Sequence, residues 1–194
     1  KGVLNILDDF GVSGTTKFHA ICNLGRLILK QNKIEVAKKT LIESLEELKL
    51  LIGPNHIITL KMANELAKVY IEDSMIAKAR VLCRWIISII GIEVKSLPLD
   101  RLPLIIDYSI FLSASQEYDE AKILLINVLD RLKVCNEKDP VFLKCKIELG
   151  NTLCKMKKQH QGFYHLEHAI AILQKHYGMN YYLLIDAIKI LNKL

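Results

Sequence analysis

Histidine and cysteine gather toward the end of the chain: Cys145, Cys154, His160, His165 and His168. These side chains can hold zinc, or serve as a nucleophile and its base. Their spacing argues against both. There is no Cys-x-x-Cys pair, and His165-x-x-His168 lacks the carboxylate of a zinc-protease helix. No strained nucleophile turn or Gly-rich oxyanion loop accompanies any Ser, Cys, His and Asp that could be combined on paper. Gly11-Val-Ser-Gly14 could open a phosphate loop, but no strand precedes it and the required Lys-Ser/Thr does not follow. The expectation is therefore no metal, no cofactor and no enzyme, with buried thiols and surface imidazoles instead.

The elements that must position everything else are helices. From Leu51 the chain reads as a helix stop, a turn, an amphipathic helix to about Glu72, a short turn, and a second helix through Ala79 and Cys83. Gly53 can take the left-handed conformation that ends a helix, and Pro54 cannot continue one. The frame recurs. Gly25, Ala67, Ser109 and Gly150 are small residues spaced by 42, 42 and 41 positions, preceded by Leu24, Leu66, Tyr108 and Leu149. A second small residue lies twelve positions after each: Ala37, Ala79, Ala121 and Gly162. Small residues at a fixed offset mark places where two helices approach closely. Asp139-Pro140 is a helix start, with Asp as cap and Pro in the first position. No stretch alternates with a strand period, so the class is all-α, a solenoid of helix-turn-helix units.

The frame places unit boundaries at 15–52, 54–91, 98–135 and 139–177. Residues 1–10 then end a preceding unit and residues 180–194 open a fifth. One helical-repeat domain, cut from a longer array, is the expectation. With 51% hydrophobic residues, four prolines and nine glycines, the 194-residue chain can bury a sizeable core. Its 27 Lys and Arg outnumber 21 Asp and Glu for a net charge of +6, which suits acidic partners. Five cysteines (Cys22, Cys83, Cys135, Cys145, Cys154), with no Asn-x-Ser/Thr sequon, point to a reducing, cytoplasmic setting. Apolar runs such as Trp85 to Ile92 fall far short of the roughly 20 residues a membrane helix needs. Trp85 itself reads as packing between helices.

The pattern resembles the tetratricopeptide repeat, a helix-turn-helix of about 34 residues with small residues at its eighth and twentieth positions. The longer spacing is similar to that of the units of kinesin light chain. There a Leu-Gly-x-x-His turn precedes an Asn-Asn-Leu-Ala helix, as Ile52-Gly-Pro-Asn-His56 precedes Ala63-Asn-Glu-Leu-Ala67 here. The third unit departs by lacking the Gly turn, and the fourth has Gly162 where Ala is usual.

The resemblance implies a site. In such arrays the first helices line a concave groove. Carried over by register, the first unit presents His19, Cys22, Asn23, Arg26 and Lys30. The second presents Lys61, Asn64, Glu65, Lys68 and Glu72. The third presents Ile106, Asp107, Ile110 and Ser113, and the fourth Lys144, Glu148, Asn151 and Lys155. The groove expected from this set is basic at both ends with an apolar third unit. The peptide-binding residues implied are His19, Asn23, Arg26, Lys30, Lys61, Asn64, Lys68, Lys144, Asn151 and Lys155. Their partner would be a protein or peptide segment, acidic and with an aromatic anchor, as for the kinesin light chain family. A scaffold or cargo-adaptor role follows from the resemblance. The Lys/Asn carboxylate clamp of chaperone-binding relatives is not reproduced intact.

Two rivals differ in class. The array could be a permanent structural subunit whose groove its own chain or a neighbour fills. It could also bind RNA base by base, as some helical repeats do. The 42-residue period and the scarcity of aromatic residues on the first helices argue against nucleic acid.

Overall fold

The computed structural model describes residues 33–133 and 136–193, together with Thr16, Ala20, Ile21, Asn23 and Leu24. The expected tail at 1–10 and the Gly11–Gly14 turn lie outside the described residues. The chain divides into two compact units, residues 1–91 and 92–194. In the first are α1 (Ile34–Leu51), α2 (Ile57–Glu72) and α3 (Ile76–Ile90). In the second, a 3-10 turn at Leu99–Arg101 leads into α4 (Leu102–Ala114). Then come α5 (Tyr118–Leu132), α6 (Pro140–Lys155), α7 (Gln159–Tyr177) and α8 (Tyr182–Leu191). No strand occurs among the described residues.

Local chemistry sets the helix ends. Asp139 Oδ1 accepts from the amides of Val141 at 2.7 Å and Phe142 at 3.3 Å, and Pro140 takes the position that needs no donor. His56 does the same for α2 with its ring, Nδ1 accepting from the Ile58 amide at 3.2 Å. Between helix pairs the chain turns on glycines: Gly53 at φ 91°, Gly91 at φ 77° and Gly178 at φ 80°, a region that a side chain resists.

The turns within each helix pair are built differently. Each places a non-glycine residue at positive φ: Ser74, Gln116 and Lys157. Each then closes with the same two bonds. The Met75, Glu117 and Lys158 amides donate to the carbonyls of Tyr70, Leu112 and Leu153 at 2.8, 2.8 and 3.0 Å. The Ser74, Gln116 and Lys157 amides donate to Ile71, Ser113 and Cys154. This is a Schellman closure, which satisfies carbonyls left open at a helix end. The strain of a left-handed Ser, Gln or Lys is held by two backbone bonds per turn and by the helix pair that follows.

The small positions are where the helices of a pair cross. Ala67, Ala79, Ser109 and Ala121 are all essentially buried. In the last pair the crossing is closer still. A Cβ placed on Gly162 would run into Cys154 Sγ and lie 2.7 Å from the Gly150 carbonyl oxygen. One placed on Gly150 would lie 2.8 Å from the Gly162 oxygen. Around these crossings Leu60, Leu66, Ile105, Leu112, Leu125, Leu143 and Leu166 form the cores of the two units. Each such leucine removed from water is worth about 1.5–3 kcal/mol. The stretch after α3 is no free linker, since Val94 and Leu97 are buried. In the first unit Lys38, nearly buried on α1, reaches Asp73 in the α2–α3 turn at 2.7 Å and also pairs with Glu35. Those partners raise its pKa.

Candidate functional site

Burial of polar groups is costly unless each finds a partner, so their location is informative. Thr59, Asn64 and Glu65 are buried on α2, Asp107, Ser109 and Ser113 on α4, and Thr152 on α6. The second helices contribute only Lys38 and Ser44 to the described set. Some of these hydroxyls close on their own helix: Ser109 donates to the Ile105 carbonyl and Thr152 to that of Glu148. The charged ones need other partners.

In the first unit, Glu65 is 8% exposed and accepts from Lys68 Nζ at 2.8 Å, one turn along α2. Asn64 is 5% exposed, which leaves little of its amide to an outside partner. Lys61 is half-buried and makes no ion pair or hydrogen bond among the described residues. Glu72 is exposed, as is Asn23. His19, Cys22, Arg26 and Lys30 lie outside the described residues.

In the second unit the stripe forms a network across two helices. Asp107, on α4, is 6% exposed and lies 2.5 Å from Lys144 Nζ on α6. Lys155 Nζ donates to Ser113 Oγ at 3.3 Å, again from α6 to α4. Between the two lysines on α6 sit Glu148 and Asn151, both half-buried. Burial raises the Glu148 pKa, Lys144 opposes that, and the Asp107 charge adds to it. Ile106 has no exposed surface and belongs to the core, while Ile110 is half-buried.

The strip expected to be basic thus carries interleaved charges in this unit, Asp107 and Glu148 against Lys144 and Lys155. The sequence held the signal. The position occupied by Asn23 in the first repeat is filled by Glu65, Asp107 and Glu148 in the next three, at the 42, 42 and 41 spacing. An amide offers donors and an acceptor, whereas a carboxylate only accepts.

The Cys/His gathering resolves into two kinds of group. Cys145 and Cys154 are buried thiols whose pKa burial pushes up, so they are poor nucleophiles. His160 is exposed. His165 and His168 lie on α7 against Lys146 of α6, with Lys146 Nζ 3.0 Å from His168 Nδ1. The Tyr164 ring stands edge-on to His165 at 5.5 Å, and His165 Nδ1 is buried with no hydrogen-bond partner. Burial and the Lys146 charge lower both imidazole pKa values. Among the described residues no three His, Cys, Asp or Glu side chains are placed to hold a metal ion. No helix among them is long and apolar enough to cross a membrane.

Helix pairs turned by Schellman closures, crossing at small residues in a 42-residue frame, make this an all-α solenoid of tetratricopeptide type. Solved structures agree. The chain is similar to a Podosopora anserina protein described as a kinesin light chain with nearly identical TPR-like repeats. The TM-score is 0.59 at 19% identity, over 91% of this chain and 84% of that one. A substituted form of that protein superposes with a TM-score of 0.62 at 20% identity, covering 89% and 82% of the two chains. No known protein-family profile matches the sequence, and no curated protein does.

Proposed function

We propose that the chain is a non-enzymatic, cytoplasmic interaction scaffold whose first helices bind an acidic peptide segment of a partner protein, in the manner of a kinesin-light-chain-like adaptor. The observation that carries this reading is the concentration of buried and half-buried polar side chains on α2, α4 and α6. In a solenoid those helices could be apolar and more stable. Polar groups kept there at a cost in stability are what a recognition surface requires. Lys61 and Lys155 are the cations best able to meet an incoming carboxylate. Lys61 has no partner among the described residues, and Lys155 is exposed and donates to a neutral hydroxyl. Lys68 and Lys144 are already matched to Glu65 and Asp107 and supply field rather than free charge.

The test is binding of a fluorescent peptide of Asp and Glu around one Trp, compared with its Lys/Arg copy. The acidic peptide should bind and the basic one should not. Lys61→Glu in the first unit and Lys155→Glu in the second, each tested alone, should weaken binding up to about fivefold, within the roughly 0–1 kcal/mol of an exposed pair, with an unchanged thermal melt. Full affinity in both folded variants would remove the site from these helices.

A further inference from the structure

We propose that Lys146 is a nucleophilic lysine and a site of acylation: His168 accepts a proton from its Nζ, and the amine so formed takes an acyl group from a thioester. This is independent of the peptide groove.

The contact between the two side chains carries the inference. Lys146 is half-buried on α6 and His168 half-buried on α7, with Nζ 3.0 Å from Nδ1. Two nitrogens at that distance share one proton, so one of them presents a lone pair to the other. In the resting pair the ammonium donates and the neutral imidazole accepts. Other lysines of the chain are answered differently. Lys38, Lys49, Lys68, Lys133 and Lys144 each meet a carboxylate. A carboxylate holds the ammonium in its charged form, whereas an imidazole can take the proton and leave an amine. Lys146 forms no ion pair among the described residues. The Phe142 ring flanks its Nζ at 5.5 Å. The Tyr164 ring stands 5.5 Å from His165 and 6.4 Å from His168.

The electrostatic surroundings agree with the contact. Burial lowers the Lys146 pKa, which favours the amine, and Glu137 alone among the charged groups opposes this. The His168 pKa is also lowered, by burial and by Lys146, so at neutral pH its lone pair is available for the proton. His165 is the other titratable group that α7 brings to the cluster, and it is kept neutral in the same way.

The step balances as follows. His168 Nδ1 takes one proton from the Lys146 ammonium. The Nζ lone pair then attacks the thioester carbonyl, forming the C–N bond as the C–S bond breaks. The departing thiolate takes a second Nζ proton and leaves as the thiol. His168 returns its proton to water, and Lys146 is left as a neutral amide. The positive charge at the α6–α7 buttress is then gone, at a position that the other pairs fill with Ala63 and Ile105.

The experiment exposes the folded chain to a small uncharged acyl donor, the acetyl thioester of N-acetylcysteamine. Quantitative mass spectrometry follows acetylation lysine by lysine. Lys61 is the internal reference, half-buried but with no imidazole against it among the described residues. At pH 7.5 Lys146 should react at least about tenfold faster than Lys61, a modest part of what a positioned general base contributes. The difference should vanish in denaturing urea. His168→Gln keeps an acceptor for the Lys146 bond but cannot take its proton, so the advantage should disappear in that folded variant. Should His168→Gln fail to fold, the wild-type profile from about pH 6.5 to 10 decides. Lys146 should level off at a lower pH than Lys61, which keeps gaining toward the ordinary lysine pKa. Equal rates at Lys146 and Lys61 in the folded chain overturn the proposal. So does an undiminished advantage in folded His168→Gln, or a Lys146 rate that rises in step with Lys61 across the whole range.

Discussion

The helix pair α2–α3 and the helix pair α6–α7 are the same object in the repeat frame with different chemistry at matching positions. Lys61, Glu65, Lys68 and Glu72 on α2 correspond to Lys144, Glu148, Asn151 and Lys155 on α6, 83 residues later. In the first pair the groove acid is answered within its own helix, Lys68 to Glu65 at 2.8 Å. In the second the groove lysine is answered by the preceding first helix, Lys144 to Asp107. The crossings differ too, Ala67 with Ala79 in one and Gly150 with Gly162 in the other. So does the buttress behind them. Ala63 and Leu82 of the first pair, like Ile105 and Leu124 of the pair between, become Lys146 and His165 in the last. Backbone geometry needs only small residues and turns at the right offsets. The remaining positions are free to carry charge, and the two pairs have used that freedom differently.

The largest expected effect breaks the contrast in ion pairing. Lys144→Met takes from Asp107, whose side chain is 5% exposed, its cation on α6. We expect a loss of about 3 kcal/mol, the low end for removing one partner of a buried ion pair, because Lys144 itself is partly exposed. Lys68→Met should cost less, about 1–2 kcal/mol, since that pair lies along one helix and its acid is less deeply buried, at 10% exposed. Adding Asp107→Leu to Lys144→Met should restore most of the stability, because no buried charge is then left. Denaturant melts of the three variants decide it. Equal small losses for both lysines would mean that the α4–α6 bridge is worth no more than a surface pair.

The next effect concerns the crossings. Gly162→Ala puts a single carbon 2.7 Å from a backbone oxygen that cannot step aside. A cost of about 2 kcal/mol is expected, close to that of Ala79→Leu, which adds three carbons at a fully buried Ala. Melts in denaturant compare them. If Gly162→Ala is silent, the α6–α7 crossing is looser than its geometry indicates, and the distinction between the two pairs disappears.

Much of this fold was legible in the sequence, for physical reasons that attach to particular residues. Gly53 and Gly178 announce positive φ because other residues resist it, and Asp139-Pro140 announces a helix start because few other pairs suit it. The small positions announce crossings because volume there is forbidden. The Schellman closures at Ser74, Gln116 and Lys157 were not legible. Those side chains carry no preference for a left-handed backbone, and the turn is imposed by the helices around it. The site was partly legible. Register placed Asp107, Ser113, Lys144 and Lys155 on the same stripe, and the structure brings them into contact in pairs. Which lysine meets which acid depends on the separation and rotation of α4 and α6, and no spacing within one helix encodes that. Ile106 shows the same limit: a groove position by register, it is wholly buried.

The smallest effect bears on the buttress and has a definite sign in pH. His165 and His168 have pKa values lowered in the folded state by burial and by Lys146. Between the folded and unfolded values the unfolded chain binds more protons, so stability rises with pH there. The folded state is therefore favoured above the ordinary histidine range and loses ground as pH falls through about 6.5. Protonating His168 also removes the lone pair that faces Lys146 Nζ at 3.0 Å and sets two cations against each other. Glu137 is the nearby acid that softens this for both Lys146 and His168. The comparison suggests the variant: Lys146→Ile with His165→Leu rebuilds the buttress as the preceding pair has it, Ile105 and Leu124. It should melt higher at pH 7.5 and lose less between pH 7.5 and 5.5 than wild type, read as Tm by circular dichroism. Carboxylates elsewhere, Asp107 and Glu148 among them, are common to both proteins and cancel in the difference. If the double variant loses as much Tm on acidification as wild type, the Lys146–histidine cluster is not what makes the last helix pair sensitive to acid.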